Sequence, residues 1–169
     1  MLDLNEVAAI WHASAALGPV WRPFVRALIL TAQRRGEVAE AQWGDLKGDT
    51  YKIPASRTKT GKPHIVHLST PVIAELDVMR ADRERGVDLV FTHNNATPIS
   101  GFSKVKRRVD ELSGVSDWTY HDLRTAFASH MAESGESEGV VDRVLNHAAS
   151  GSKVSTVARV YQRSALLPQ

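Results

Sequence analysis

The feature that most constrains this chain is a change of hydrophobic period. On either side of residues 47–68 the apolar residues recur at helical spacing. Within that window they fall into two short β-type runs, Tyr51-Lys52-Ile53 and Ile65-Val66-His67-Leu68. Between the runs lies Ser56-Arg57-Thr58-Lys59-Thr60-Gly61-Lys62-Pro63, whose glycine and proline suit a hairpin connection. The expected fold is therefore mainly α with a small antiparallel β-sheet (α+β), the sheet's connection being strongly basic.

The flanking pattern predicts helices over Asn5–Leu17, from about Arg22-Pro23 onward, and over Glu37–Trp43. After the sheet, Thr70 is expected as an N-cap with Pro71 in the first helical position. Leu89-Val90-Phe91 reads as a short buried run. Further helices are expected over Gly101–Leu112, His121–Glu133, Glu138–Leu145 and Val154–Gln162. With 169 residues and 43% apolar content, the chain suffices for one domain with a substantial core.

Lys and Arg number 21 and Asp and Glu 19, so the distribution of charge matters more than its sum. Lys47, Lys52, Arg57, Lys59 and Lys62 stand against Asp49 alone, and Lys104, Lys106, Arg107 and Arg108 form a second cluster. Such patches suit a phosphate-rich partner. The chain has no cysteine. This excludes disulfides, thiol catalysis and the common zinc-finger spacings within it, and it fits a reducing cytoplasm. No run reaches the length of a membrane span, and no carboxylate–histidine spacing points to a metal or other cofactor.

Within Thr119–His130, His121 and Arg124 are three residues apart, so on a helix they share a face, while Leu123, Phe127 and Met131 supply its apolar side. Alone, that pair fits an ordinary polar helix face. Four further segments accompany it: Thr31-Ala32-Gln33-Arg34-Arg35-Gly36-Glu37, the turn with Lys59, Leu145-Asn146-His147, and Val160-Tyr161-Gln162-Arg163.

Taken in order, these five segments resemble the catalytic domain of the tyrosine recombinases, or phage integrases, over nearly the whole chain. The long connection from His147 to Tyr161 is most similar to prophage integrases. The resemblance implies catalytic roles for Arg34, Lys59, His121, Arg124, His147 and Tyr161, with Glu37 as the acidic companion of Arg34. The box His121-Asp122-Leu123-Arg124 is followed by Thr125 and Ala126, where the family commonly has Arg or His and then Thr or Ser.

The implied reaction is metal-independent phosphodiester transesterification. A free tyrosine has a pKa of roughly 10, so Tyr161 needs a base or a positive field before it attacks phosphorus. The planar donor forks of Arg34 and Arg124 match two phosphate oxygens. Lys59 would protonate the departing 5′-oxygen, His121 accept a proton or orient, and His147 donate to the phosphate. Arg57, Lys62, His64, Lys104, Lys106 and Arg107 are the expected DNA contacts.

The resemblance further implies that residues 1–169 are a single catalytic domain without the N-terminal core-binding domain, acting on double-stranded DNA attachment or core sites. It implies a tetramer on DNA when full-length and a monomer as an isolated domain, away from membranes. Two other readings stay open: a catalytically silent DNA-binding module and a type IB topoisomerase-like enzyme.

Overall fold

The computed structural model describes residues 1–147. Helix α1 (Leu4–Ser14) starts at a reciprocal cap: the Asp3 carboxylate accepts from the Glu6 N–H at 2.8 Å, and the Glu6 carboxylate from the Asp3 N–H at 2.9 Å. Helix α2 (Gly18–Thr31) begins four residues before the expected Arg22. Pro19 lies in its first turn, where a missing N–H costs nothing, whereas Pro23 is buried inside the helix. Thus α1 ends at Ser14, ahead of Gly18-Pro19, which opens α2.

Helix α3 (Arg35–Ala39) is shorter than the reading over Glu37–Trp43, and Trp43–Asp45 forms a separate 3-10 turn. The sheet has a third strand that the apolar pattern did not reveal. Strand β1 (Leu46–Lys47) pairs with β2 (Thr50–Ile53), and β2 with β3 (His64–His67), all antiparallel. Gly48 at φ 59° makes the tight β1–β2 turn, a conformation that favours glycine.

In β3 the alternation runs against hydropathy. Ile53 pairs with His64, so His64 and Val66 face inward while Ile65 is 38% exposed. Register is shared along the strand; burying Val66 and Leu68 takes His64 inside as well.

Helix α4 (Thr70–Ala81) is capped by Ser69 rather than Thr70, which places Pro71 at the second helical position. Helices α5 (Phe102–Ser113), α6 (Tyr120–Glu133) and α7 (Glu138–Val144) follow, close to their expected spans. The Val154–Gln162 expectation lies outside the described residues.

Helix α2 is central: α1, α3, α4 and α6 all pack on it. Its Phe24 makes edge contacts with Phe91 at 5.4 Å and Tyr120 at 6.3 Å, and lies 5.7 Å from Phe102. A second apolar cluster of Ala32, Val141 and Leu145, with Phe127 and Met131 against it, attaches α7 to α6. No helix among the described residues is long and apolar enough to cross a membrane.

Candidate active site

The α2–α3 connection begins with an unusual turn. Ala32 caps α2 in the left-handed region at φ 54° and is fully buried. A non-glycine residue there costs about 1–2 kcal/mol. The turn exposes the Ala32 carbonyl to the Arg124 guanidinium, which donates to it at 2.7 Å. A second Arg124 nitrogen donates to the Leu145 carbonyl, just beyond α7. Arg124 is only 3% exposed, so two of its five N–H groups hold backbone while one edge lines a cavity.

Arg34 precedes α3 and is clasped by Glu37. One carboxylate oxygen accepts from the Arg34 guanidinium at 3.0 Å, and the other from the Arg34 backbone N–H at 3.1 Å. Glu37 is 4% exposed, and its own carbonyl accepts from the Tyr51 hydroxyl at 2.5 Å. The sheet therefore braces the turn that presents Arg34.

Arg34, His121 and Arg124 share the wall of a cavity of about 490 Å³, together with Gln33, Arg35, Phe102, Lys106, Trp118 and Thr119. The first turns of α5 and α6 open onto it, adding the partial positive charge of helix N-termini. The start of α6 is held by Asp122, whose carboxylate accepts from the Thr119 N–H at 2.6 Å and hydroxyl at 2.8 Å. These bonds hold the Asp122 carboxyl below its ordinary pKa.

Burial, and next the nearby Arg34 cation, lower the Arg124 pKa to about 10, while Glu37 acts in the opposite sense. Two cations thus repel one another across a site where one carboxylate is already engaged. An anion between them relieves that repulsion and satisfies guanidinium N–H groups that point away from backbone.

Of the remaining expected residues, Lys106 also lines this cavity, and the others described are placed outside it. Lys59 and Lys62 are exposed on the β2–β3 connection, outside the cavity lining. Exposed His147 has its Nδ1 3.0 Å from the Asp142 carboxylate. The adjacent Asn146 donates to the Thr60 hydroxyl at 3.3 Å, which links the end of α7 to the hairpin. Arg57 is turned inward, bonded to the Glu40 carbonyl and the Asp45 carboxylate. His64 is buried and faces the Val144 carbonyl at 3.1 Å; burial lowers its pKa. Lys106 pairs with Asp110 at 2.7 Å and lies 5.1 Å above the Trp118 ring. Lys104 and Arg107 are exposed on α5. Tyr161 lies outside the described residues.

The sequence contains three tyrosines. Tyr51 and Tyr120 are both buried with hydroxyls given to carbonyls, Tyr120 to Phe102 at 3.0 Å. Burial raises both pKa values, that of Tyr120 to about 12. Neither has an available, ionisable hydroxyl for attack on phosphorus.

Sequence reasoning missed Gln33 and the Phe102–Trp118 wall. Trp118-Thr119 had a usable signal, because Thr119-x-x-Asp122 is a helix-start pattern directly before the box. Gln33 had none.

The sequence model of the phage integrase family matches residues 1–166. The chain belongs to the phage integrase family. It is 28% identical to prophage integrase IntZ of Escherichia coli K12, over 99% of this chain and 41% of that protein. To prophage integrase IntA of the same organism it is 30% identical, over 83% of this chain and 34% of that protein. The chain thus spans well under half of these relatives.

Among solved structures, the lambda integrase catalytic core superimposes with a TM-score of 0.65 at 23% identity, covering 86% of this chain and 94% of that one. XerH recombinase bound to its difH substrate gives 0.73 at 18% identity, covering 98% of this chain and 53% of that one. The fold is that of a phage integrase catalytic domain.

Proposed function

We propose that this chain is the catalytic part of a site-specific DNA recombinase that cleaves and rejoins strands through a phosphotyrosyl intermediate. The observation carrying this reading is the pairing of Arg34 with buried Arg124 on one cavity wall beside His121. The family membership and the prophage integrases among its relatives support it.

In this mechanism the Tyr161 hydroxyl attacks the scissile phosphorus. A P–O bond to tyrosine forms, the P–O5′ bond breaks, and the 5′-oxygen leaves as a hydroxyl carrying a proton from Lys59. Arg34 and Arg124 bind the non-bridging oxygens and stabilise the charge that grows on them. Glu37 keeps the Arg34 fork in place, His121 takes or orients the tyrosine proton, and His147 donates to the phosphate. Attack by a different 5′-hydroxyl reverses the step and exchanges strands, with no metal in the sequence.

The substrate is double-stranded DNA with attachment or core sites, in the cytoplasm of a bacterial cell, in prophage or mobile-element integration and excision. Lambda integrase has been solved as a tetramer bound to a Holliday junction. The same assembly is proposed for the full-length protein, with residues 1–169 as its catalytic domain, monomeric when isolated.

A nicked suicide duplex tests this reading. A covalent adduct, unaffected by chelator and lost in Tyr161→Phe, is expected, with mass spectrometry placing the DNA on Tyr161. DNA binding without any adduct would instead identify a silent binding module.

A further inference from the structure

The C-terminus of α7 is gripped by side chains from three separated parts of the chain. The Val144 carbonyl accepts from Gln33 Nε2 at 2.9 Å and faces His64 Nε2 at 3.1 Å. A carbonyl partner requires that this ring nitrogen carry the proton. The next carbonyl, that of Leu145, accepts from Arg124. Gln33 Nε2 also donates to the Thr31 carbonyl at 2.7 Å, so its amide is fixed at both partners.

Helix C-terminal carbonyls lack intrahelical donors and are commonly left to water. Here three buried side chains occupy them, and each belongs to a segment bearing a proposed catalytic group. Gln33 immediately precedes Arg34. His64 closes the connection that bears Lys59. Arg124 is itself in the site. The gripped carbonyls lie just before His147. Asn146, held at φ 51°, adds the bond to Thr60, next to Lys59.

We infer that Gln33 and His64 are positioning residues for strand cleavage: through the Val144 carbonyl they hold the end of α7, and with it His147 and the Lys59 hairpin, in register with the Arg34–Arg124 wall. This rests on the recombinase reading. Neither residue touches DNA in this role. Their effect is to restrict the relative placement of three segments, and a misplacement of about 1 Å in such a site costs up to roughly a hundredfold in rate.

The test measures single-turnover cleavage of the nicked duplex at saturating protein, alongside DNA affinity, in wild type, His64→Leu, His64→Gln and Gln33→Met. His64→Leu and Gln33→Met are expected to bind DNA within about twofold of wild type yet cleave about tenfold more slowly or worse. His64→Gln, whose amide N–H reaches the same carbonyl, is expected to recover most of the rate. A merely structural role predicts lower melting temperatures without a rate loss in the folded protein, and no selective rescue.

Wild-type cleavage by folded His64→Leu and Gln33→Met overturns the inference and leaves the recombinase reading intact. So does a loss of binding with no loss of rate at saturation. If His64→Leu does not fold, Gln33→Met decides, because it leaves the His64 contact in place. A wild-type protein that binds DNA but forms no adduct overturns both readings.

Discussion

The cations on the cavity wall and those on the β2–β3 hairpin are alike in formal charge and opposite in their relation to the fold. Arg124 is 3% exposed and bonded to two carbonyls from distant segments, and Arg34 is clasped by a buried carboxylate. Lys59 and Lys62 stand exposed on a loop between two strands. The first pair is built in before any ligand arrives; in the proposed mechanism the second reaches DNA from solvent. Preorganised donors act on a transition state without further ordering, whereas an exposed lysine on a connection keeps the freedom a proton donor needs to follow its leaving group.

Substitutions on the wall test this contrast most severely. Arg124→Ala is expected to lower cleavage of the suicide duplex about a hundredfold to a thousandfold. It should also destabilise the fold by roughly 2–4 kcal/mol in urea melts, because the Ala32 and Leu145 carbonyls lose their donor. Arg124→Lys is expected to rescue little, since a point charge cannot reproduce the fork. Equal stability of Arg124→Ala and wild type would remove the distinction between built-in and solvent-borne charge.

Lys59→Ala is expected to lose about a hundredfold or more in cleavage with an unchanged urea midpoint, if the exposed lysine is the general acid proposed above. A large stability loss there would break the comparison from the other side.

Arg57 sharpens it. Only two residues from Lys59, it is bonded to Glu40 and Asp45 instead of facing solvent. Arg57→Ala should cost roughly 1.5–3 kcal/mol of stability. Its effect on the salt dependence of DNA affinity should be small. Lys104→Ala and Arg107→Ala should do the reverse, leaving the melt unchanged and each reducing the slope of log affinity against log salt by about 0.9.

The smallest expected effect is a pH dependence. Burial lowers the His64 pKa from its ordinary 6.5, so the unfolded chain binds more protons than the folded one as pH falls below that value. Stability assigned to neutral His64 is present above about pH 6.5 and declines as pH falls toward the lower folded pKa. His64→Gln should therefore flatten the acid side of the melting-temperature profile relative to wild type.

Much of this was legible locally. The change of period located the sheet, and Pro71 marked the first turn of α4. The five ordered segments led to Arg34, Glu37, His121 and Arg124, which the fold brings into one neighbourhood. What was not legible depended on distant partners. Gln33 reads as a polar residue beside an arginine, because the Val144 carbonyl that defines it lies 111 residues away. His64 reads as a surface histidine next to an apolar Ile65, and pairing with β2 reverses the two.

The sequence by itself determined which chemistry the chain can carry: paired arginines, histidines, a hairpin lysine and a tyrosine, in an order shared with a known family. Its periodicity also determined most elements, since helical and strand repeats are properties of a few neighbouring residues. The tertiary structure decided how identical charges are used. Whether a guanidinium meets solvent, a carboxylate or a carbonyl depends on long-range packing, which made Arg57 a brace, Arg124 a buried wall and Lys59 an exposed reach.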